Sequence, residues 1–380
     1  MIIKNATVLN DNFKFVKTDI KVEDGKFAFI GECCEEADLD LSGKYIVPGL
    51  IDIHIHGGKG VRFDDSDGTE ETVEKITEYL LNNGTTSCAA TISSRSFEAT
   101  VDNINRCKGY VANGQKYARI IGIHMEGPYL SILKKGAGVP KYIRKPDIEE
   151  FKKFYEVSEG LIKLIDVAPE VEGGLDFIAQ ASKMCTVAMG HTDSDYATAM
   201  EAIKIGASHV THTFNAMRSY NHREPNLLGA AFDTDVICEC ISDGIHLSPT
   251  TVRMLYKLVG SERLVLISDT CMQAGLPDGQ YMSTKEGHKI TVTNGLAVNA
   301  DGTICGGCYP LLYSVQKAIE FGIPADEAFK CASIIPARVM KADNELGSIK
   351  EGKIADFLVL DENYKLCDVY KNGERFCTAE

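Results

Sequence analysis

The sequence predicts an α/β protein: a TIM-like (β/α)8 barrel with a small β-sandwich domain that the N- and C-terminal segments form together. Two observations predict this architecture. In the middle of the chain, eight apolar strand-like runs alternate with segments of helical periodicity. At both ends, short runs of alternating apolar and polar residues are separated by turn residues. With 380 residues, the chain is long enough for one large domain and a small companion.

The small β-sandwich is assigned to residues 1–47 and 345–380. The N-terminal segment contains MIIKNATVLN, TDIKVEDGKFAFIG and KYIVPG, in which apolar and polar positions alternate around turn residues such as Asp24 and Gly25. The C-terminal segment has the same pattern, with Asn372 and Gly373 as a hairpin signal. We therefore expect the two segments to pair into one domain.

The barrel is assigned to residues 48–344. Its strand candidates, in chain order, are GLIDIHI, TTSCAATI, ARIIGIHMEG, LIKLIDVAPE, TVAMGHT, ASHVTHTF, VICECISDG and RLVLISDT. Helical spacing that ends in glycine occurs in TEETVEKITEYLLNNG, SDYATAMEAIKIG and PTTVRMLYKLVG. Eight strands are the number that a closed barrel requires. An open doubly wound sheet is the alternative, but no GxGxxG segment follows the first strand.

Composition limits the partners and the compartment. The formal net charge of -14 argues against a nucleic-acid partner or an acidic membrane surface, since both present repelling phosphates. The thirteen cysteines are odd in number and scattered, and we find no secretory signal or run of transmembrane length, so we expect a cytoplasmic protein. Cysteine pairs such as Cys238 and Cys240 lack the spacing of a structural zinc site and are expected to be buried small hydrophobic residues.

A pair of histidines lies at the end of the first barrel strand. Residues i and i+2 of a strand project from the same face, so His54 and His56 point the same way. Two neutral imidazoles on one face can share a zinc, iron, nickel or copper ion. The pair alone is equally compatible with histidines packed in a core.

Polar residues also follow several later strands, where the chemistry of a β/α barrel takes place. They are Glu126 in GIHMEGPYL, His191 in MGHTDSD, His212 in VTHTFNAM and Asp269 in LISDTCM. Core packing does not readily place four histidines and two carboxylates at strand ends. Together with the first pair, these residues therefore favour a metal-dependent active site.

These residues lie in stretches that resemble the amidohydrolase superfamily and, within it, the family of N-acetylglucosamine-6-phosphate deacetylases. The stretches occur in family order and include VPGLIDIHIHGG, GIHMEGPYL, GHTDSD, THTFNAM, HREPNLLGA, ISDGIHL and SDTCMQAGLPDGQY. The resemblance implies a hydrolase that converts N-acetyl-D-glucosamine 6-phosphate to D-glucosamine 6-phosphate and acetate, a step in amino-sugar breakdown.

The resemblance also implies one or two divalent metal ions per subunit, with zinc or iron expected. His54 and His56 would bind one ion, and Glu126, His191 and His212 would bind the other, with Glu126 in a position to bridge them. Some relatives lack the histidine pair and keep only the second metal. Cyclic amidohydrolases such as dihydroorotase generally use a carbamylated lysine at the bridging position, so a glutamate there argues against a cyclic amide substrate.

Further roles follow from the same resemblance. Asp269 would accept the proton of the attacking water and return it to the leaving amine, because an amine is a poor leaving group until it is protonated. His124, two residues from Glu126, is interpreted as a partner that supports the site or as a packed core residue.

On the substrate side, the resemblance implies that Asn215, Ala216 and Arg223 hold the 6-phosphate and that His246 contacts the sugar. Arg223 would reach in from the neighbouring subunit of a homodimer. Without the resemblance, Arg223 would be interpreted as one member of a surface ion pair.

The sequence departs from the family at two places near the expected substrate pocket. Gly138, after Ala137, stands where the family commonly has a histidine that polarises the acyl carbonyl, and a second metal could replace that donor. Ile304, Cys305, Gly306 and the glycine after them stand where Leu-Ala-Gly-Ser is more common. Another N-acyl substrate, such as N-acetylgalactosamine 6-phosphate, is therefore the alternative. A non-catalytic sugar-phosphate-binding protein is disfavoured, since no expected metal ligand is missing and Asp269 is present.

Overall fold

The computed structural model describes residues 1–282 and 289–376. The N-terminal segment forms five strands: β1 (Ile2–Leu9), β2 (Phe15–Glu23), β3 (Lys26–Gly31), β4 (Leu39–Asp40) and β5 (Tyr45–Pro48). β1, β2 and β3 form an antiparallel meander, and β4 and β5 run parallel to β1. Alternate residues of β2, such as Ile20 and Val22, are buried, as the period-2 pattern predicts.

The barrel begins with β6 (Leu50–Ile55), which is followed by a short hairpin of β7 (Gly57–Gly58) and β8 (Val61–Arg62). Seven further strands complete the barrel: β9 (Thr85–Ser93), β10 (Arg119–Tyr129), β11 (Ile162–Val167), β12 (Thr186–Met189), β13 (Ala207–Val210), β14 (Ile237–Cys240) and β15 (Leu264–Leu266). Each of the eight strands pairs in parallel with the next in chain order.

Backbone hydrogen bonds beyond the end of β15 close the ring. The Asp269 N–H donates to the His54 carbonyl over 2.9 Å, and the His56 N–H donates to the Thr270 carbonyl over 2.9 Å. The eight strand candidates all correspond to barrel strands, so the predicted (β/α)8 barrel is confirmed. The same closure brings the histidine pair next to Asp269.

Helices pack against the outside of the barrel: α1 (Glu70–Asn82), α2 (Phe97–Ala112), α3 (Ile148–Val157), α4 (Gly174–Ala181), α5 (Tyr196–Lys204), α6 (Asn226–Asp233), α7 (Pro249–Val259), α8 (Leu311–Glu320), α9 (Ala325–Cys331) and α10 (Ile334–Val339). The three predicted helices correspond to α1, α5 and α7. In α1, Val73, Ile76 and Leu80 are buried at helical spacing. Within the described residues, no helix combines the length and the apolar character needed to cross a bilayer.

A four-stranded antiparallel sheet that the sequence analysis did not predict follows the eighth barrel strand. It comprises β16 (Gly279–Met282), β17 (Lys289–Thr293), β18 (Leu296–Asn299) and β19 (Ile304–Gly307). β19 returns to the barrel, where the Gly307 N–H donates to the Asp269 carbonyl over 2.7 Å. Gly306 has a φ of +116°, and a Cβ there would lie 2.7 Å from the Asp269 carbonyl oxygen, so this close return requires glycine.

The C-terminal segment adds β20 (Phe357–Leu360), β21 (Leu366–Lys371) and β22 (Glu374–Phe376). β20 pairs antiparallel with β5, so the two termini share one eight-stranded sheet. Phe357 packs in the small-domain core with Ile46, while Leu358 faces the barrel core. The expected pairing of the termini and the small β-sandwich are confirmed. The boundaries 1–47, 48–344 and 345–380 stay a prediction, and residues 377–380 lie outside the described chain.

Candidate active site

A cavity of about 380 Å³ lies at the carboxyl ends of the barrel strands, a volume within the range of small-molecule sites. Most of the residues that the sequence singled out line it: His56, Glu126, Ala137, Gly138, His191, His212, Asn215, Ala216, His246, Asp269, Ile304, Cys305 and Gly306. His54 lies beneath the cavity and is fully buried. Arg223 does not line the cavity of its own chain; it is exposed and borders a different pocket, beside Asp195 and Arg218.

The carboxylate of Glu126, near the end of β10, is the point on which four imidazoles converge. Its Oε1 lies 3.0 Å from Nε2 of His191, 3.4 Å from Nε2 of His212 and 3.5 Å from Nε2 of His54. Its Oε2 lies 3.3 Å from Nε2 of His56. On the other side of the histidine pair, Oδ1 of Asp269 lies 3.3 Å from Nε2 of His56. Side chains that are far apart in sequence therefore meet at one carboxylate.

Three sets of donor atoms lie close enough together to hold a cation, and two of these sets border the cavity. One group is Glu126, His191 and His212, and the other is His54, His56 and Asp269; the ligand atoms within each group lie within 4.8 Å of one another. We name them the glutamate group and the doublet group.

The buried polar atoms of both groups fit a divalent metal. Nε2 of His54 is buried and has no hydrogen-bond partner among the described residues. Nε2 of His191 and Nε2 of His212 lie only 3.1 Å apart. A cation between these nitrogens can accept their lone pairs, and for Nε2 of His54 the described residues supply no other partner. Imidazole and carboxylate donors suit zinc and iron, so the site can hold a divalent metal ion.

The surroundings of both carboxylates in these two groups favour their charged form. Burial alone would raise the pKa of Glu126, but the charge of His56 and hydrogen bonds with His191 and His212 hold that pKa well below its usual range. Burial would likewise raise the pKa of Asp269, but the charge of His54 and the contact with His56 lower it to about 2. Two carboxylates close together in a buried site create a local negative potential that favours a cation.

Glu239, in the middle of β14, supports both groups, and the sequence analysis missed it. Its Oε2 lies 3.0 Å from Nδ1 of His54 and accepts the backbone N–H of His212 over 2.9 Å. Its Oε1 lies 2.9 Å from Nε2 of His209. A carboxylate on Nδ1 fixes the imidazole with Nε2 directed at the site and increases its basicity. A charged residue inside the apolar run VICEC was the available signal.

His56 has a different support, which the sequence analysis also missed. Its Nδ1 lies 3.3 Å from the Ser93 hydroxyl, and that oxygen accepts a hydrogen bond from Nη2 of Arg62 over 3.1 Å. Nε of Arg62 donates to Asp64 over 2.7 Å, and Nη2 of Arg95 lies 3.0 Å from the same carboxylate. Arg62, Asp64 and Arg95 therefore form a buried ion-pair network, which reaches His56 through the Ser93 hydroxyl.

His124 does not face the cavity. Its Nε2 lies 3.0 Å from Asp166 and its Nδ1 lies 3.2 Å from the Ile53 carbonyl, so both ring nitrogens are engaged. Its ring packs edge-on against His54 with 4.6 Å between centroids. This geometry agrees with the interpretation of His124 as a packed residue that supports His54 rather than a ligand.

Three of the converging residues have a left-handed backbone. The φ angles are 47° at His191, 29° at His212 and 47° at Asp269. Each residue lies two or three positions beyond the end of its strand. Such a conformation costs about 1–3 kcal/mol for a non-glycine residue and concentrates at functional sites, where the surrounding structure enforces it. The turns aim the three side chains inward.

The outer part of the cavity is polar. The Asn215 side-chain amide donates to the His212 carbonyl over 3.2 Å, and Ala216, with a φ of 49°, continues the same turn. Asp243 lies 2.7 Å from Nδ1 of His246, which leaves Nε2 for the cavity. Burial would lower the pKa of His246, but the hydrogen bond with Asp243 raises it. These groups can contact a polar or anionic ligand.

The two places where the sequence departs from its relatives both border this cavity. A Cβ at Gly138 would lie 2.7 Å from the Lys135 carbonyl oxygen, so a side chain at this position requires the loop to move. Ile304, Cys305 and Gly306 come from β19 and cover the opposite side. The cavity is therefore wider at the Gly138 position than a side chain there would allow.

Comparisons with known proteins agree with this geometry. The profile of the Amidohydrolase family matches residues 45–379. An N-acetylglucosamine-6-phosphate deacetylase of Lysinibacillus sphaericus is 32% identical over 379 residues, which covers 98% of this chain and 97% of that protein. An N-acetylgalactosamine-6-phosphate deacetylase of Escherichia coli O157:H7 is 29% identical over 358 residues, 93% of each protein. A mutant N-acetyl-D-glucosamine-6-phosphate deacetylase from Mycobacterium smegmatis, in complex with N-acetyl-D-glucosamine-6-phosphate, has a TM-score of 0.92 at 30% identity, covering 99% of this chain and 98% of that one.

Replacing the supporting carboxylate, Glu239→Gln, should weaken metal binding about 10- to 100-fold, because His54 loses its anionic partner. Zinc per chain, counted after dialysis at a fixed free-zinc concentration, measures the effect. Glu201→Gln on the exposed side of α5 is the matched control and should retain full zinc content. Equal zinc content in the two variants would show that Glu239 does not support the metal ligands.

Proposed function

The chain belongs to the amidohydrolase family, and from this premise we propose that it hydrolyses N-acetyl-D-glucosamine 6-phosphate to D-glucosamine 6-phosphate and acetate. The observation that carries the proposal is the convergence of four imidazoles on Glu126, beside Asp269, in a cavity with polar groups at its outer end. The similar Mycobacterium smegmatis protein, in complex with this sugar phosphate, supports the choice of substrate.

The metal ligands would be divided between two ions. Glu126, His191 and His212 would hold one divalent ion, and His54 with His56 would hold a second; we propose zinc or iron. When bound, such an ion supplies Lewis acidity, which lowers the pKa of water and polarises a carbonyl.

Asp269 would carry the proton. Its ionised carboxylate lies at the cavity wall, 3.3 Å from His56, where it can accept a proton from water that attacks the acetamide carbonyl. The same carboxyl group would then deliver that proton to the amine nitrogen as the C–N bond breaks. One residue can serve both steps because the first step protonates its carboxylate and the second step removes that proton again.

The phosphate would be bound at the outer end of the cavity by Asn215 and Ala216, with His246 against the sugar. Arg223 would complete this subsite from the second subunit of a homodimer. Its exposure and its separation from the cavity of its own chain support a role across a subunit interface. A guanidinium is well suited to bind phosphate. Arg223 would therefore supply a positive charge at this subsite, which a chain of net charge -14 otherwise has in short supply.

We also propose a cytoplasmic location. The cysteines within residues 1–282 and 289–376 are free thiols, which is the state that a reducing compartment maintains.

The second candidate substrate is N-acetylgalactosamine 6-phosphate. The relative of that name in Escherichia coli and the altered lining at Gly138 and Ile304 favour its inclusion in every assay.

Purified protein should release acetate from N-acetyl-D-glucosamine 6-phosphate, and a chelator should abolish turnover until zinc or iron is restored. Acetate release and metal per chain are measured on the same samples, with the galactosamine epimer assayed in parallel. Unchanged turnover in demonstrably metal-free protein would contradict the proposed chemistry. Faster turnover of the epimer would move the assignment to the second candidate.

Asp269→Asn should lower kcat by about 10²- to 10⁴-fold while KM changes little, because the amide cannot accept and return the proton. Steady-state kinetics at saturating metal provide the measurement. Asp235→Asn, an exposed aspartate, is the control and should match the parent protein. A kcat for Asp269→Asn within twofold of the parent would exclude the proton-transfer role.

Arg223→Ala should raise KM for the phosphorylated sugar at least about tenfold, because a charge-assisted phosphate contact is lost. Turnover of unphosphorylated N-acetylglucosamine should stay unchanged. Mixing Arg223→Ala and Asp269→Asn subunits tests the action across the interface. Random mixing makes half of the dimers hybrids with one complete site, so about a quarter of the parent activity should return when the substrate concentration is well below KM. No recovery in verified hybrid dimers would place Arg223 in its own chain's site or outside both sites.

A further inference from the structure

The two histidines of the doublet group have unequal partners on the ring nitrogen that faces away from the site. Nδ1 of His54 lies 3.0 Å from a carboxylate oxygen of Glu239. Nδ1 of His56 lies 3.3 Å from the neutral hydroxyl of Ser93. All four residues are buried, so water does not equalise the two environments.

The Ser93 hydroxyl is itself engaged by a cation. Arg62, which is 5% exposed, donates from Nη2 to Ser93 Oγ over 3.1 Å. Two further hydrogen bonds hold Arg62 in place: its Nε donates to Asp64, and its backbone N–H donates to Asp65. A guanidinium only donates and stays charged, so one lone pair of Ser93 is always directed at Arg62.

These contacts give the two imidazoles different strengths as ligands. A ligating histidine donates its second N–H to a partner, and a carboxylate partner increases the electron density on the nitrogen that binds the metal. A hydroxyl whose oxygen already accepts from a cation is a weaker acceptor for that N–H. In the glutamate group, Nδ1 of His191 lies 2.7 Å from the Lys134 carbonyl oxygen, and Nδ1 of His212 is buried with no hydrogen-bond partner among the described residues. A cation behind the partner of Nδ1 is therefore a feature of His56.

We propose that Arg62, acting through Ser93, lowers the metal affinity of the doublet group, so that its ion exchanges more readily than it would with an uncharged residue at position 62. Arg62 is a positioning residue in this account, since it acts on His56 through the Ser93 hydroxyl. The proposal rests on the two metal sites of the proposed function.

The test is zinc release from the fully loaded protein, dialysed against buffers of graded free zinc, with zinc counted per chain. The parent protein should lose its two ions in two separate steps. Arg62→Gln removes the charge but keeps an amide that can donate, and it should shift only the release step of the doublet group, by about tenfold, to lower free zinc. Arg62→Lys keeps the charge and should leave that step within about threefold of its parent position.

Two further variants keep the test decisive. Arg95→Gln removes the other guanidinium on Asp64 and should leave both steps in place. His56→Asn should abolish the release step of the doublet group and His191→Asn that of the glutamate group, which assigns each step without relying on the folding of Arg62→Gln.

The outcomes separate this inference from the proposed function. No shift of the doublet-group step in Arg62→Gln, an equal shift of both steps in that variant, or the same shift in Arg95→Gln would overturn the role of Arg62 while leaving the metal sites intact. Protein that binds no zinc at any concentration would overturn the metal sites themselves, and the inference with them.

Discussion

The convergence of histidine nitrogens on the Glu126 carboxylate is the constraint on which the rest of the site depends. The side chains that meet there come from β6, β10 and the turns after β12, β13 and β15, so they meet only if the strand ring closes. Closure is local: the Asp269 N–H bonds to the His54 carbonyl, and the His56 N–H bonds to the Thr270 carbonyl. The hydrogen bonds that complete the fold are thus the ones that set the histidine pair against Asp269.

Holding so many polar groups out of water requires partners for the atoms that face away from the cavity. Glu239 supplies one set, with His54, His209 and the backbone of His212 as its contacts. Asp166 supplies another, accepting from Thr211 over 2.7 Å and lying 3.0 Å from His124. At the cavity end, the interior of this barrel is therefore a layer of paired acids and imidazoles, where apolar packing would leave the imidazoles without a fixed orientation.

The sequence predicted the parts of the molecule that follow a period or a positional rule. The eight barrel strands follow from apolar runs, and Glu126, His191, His212 and Asp269 follow from the rule that barrel chemistry lies at strand ends. β16 to β19 were missed because they are short and half-exposed, with no apolar run to mark them.

The supporting residues were missed for a different reason. Glu239 contacts His54 from inside a buried strand, and Ser93 and Arg62 reach His56 through the folded structure rather than through a fixed spacing in the chain. The proximity of Arg62 to the histidine pair nevertheless has a local cause in HIHGGKGVR. Gly57 pairs with Arg62 in the hairpin of β7 and β8, and a Cβ on Gly57 would lie 2.2 Å from the Val61 carbonyl oxygen. Only glycine allows the chain to return this closely, and the Phe63 N–H then bonds to the His56 carbonyl over 2.9 Å. The glycines after the histidine pair therefore bring a buried cation behind one of the two histidines, which makes the pair chemically unequal.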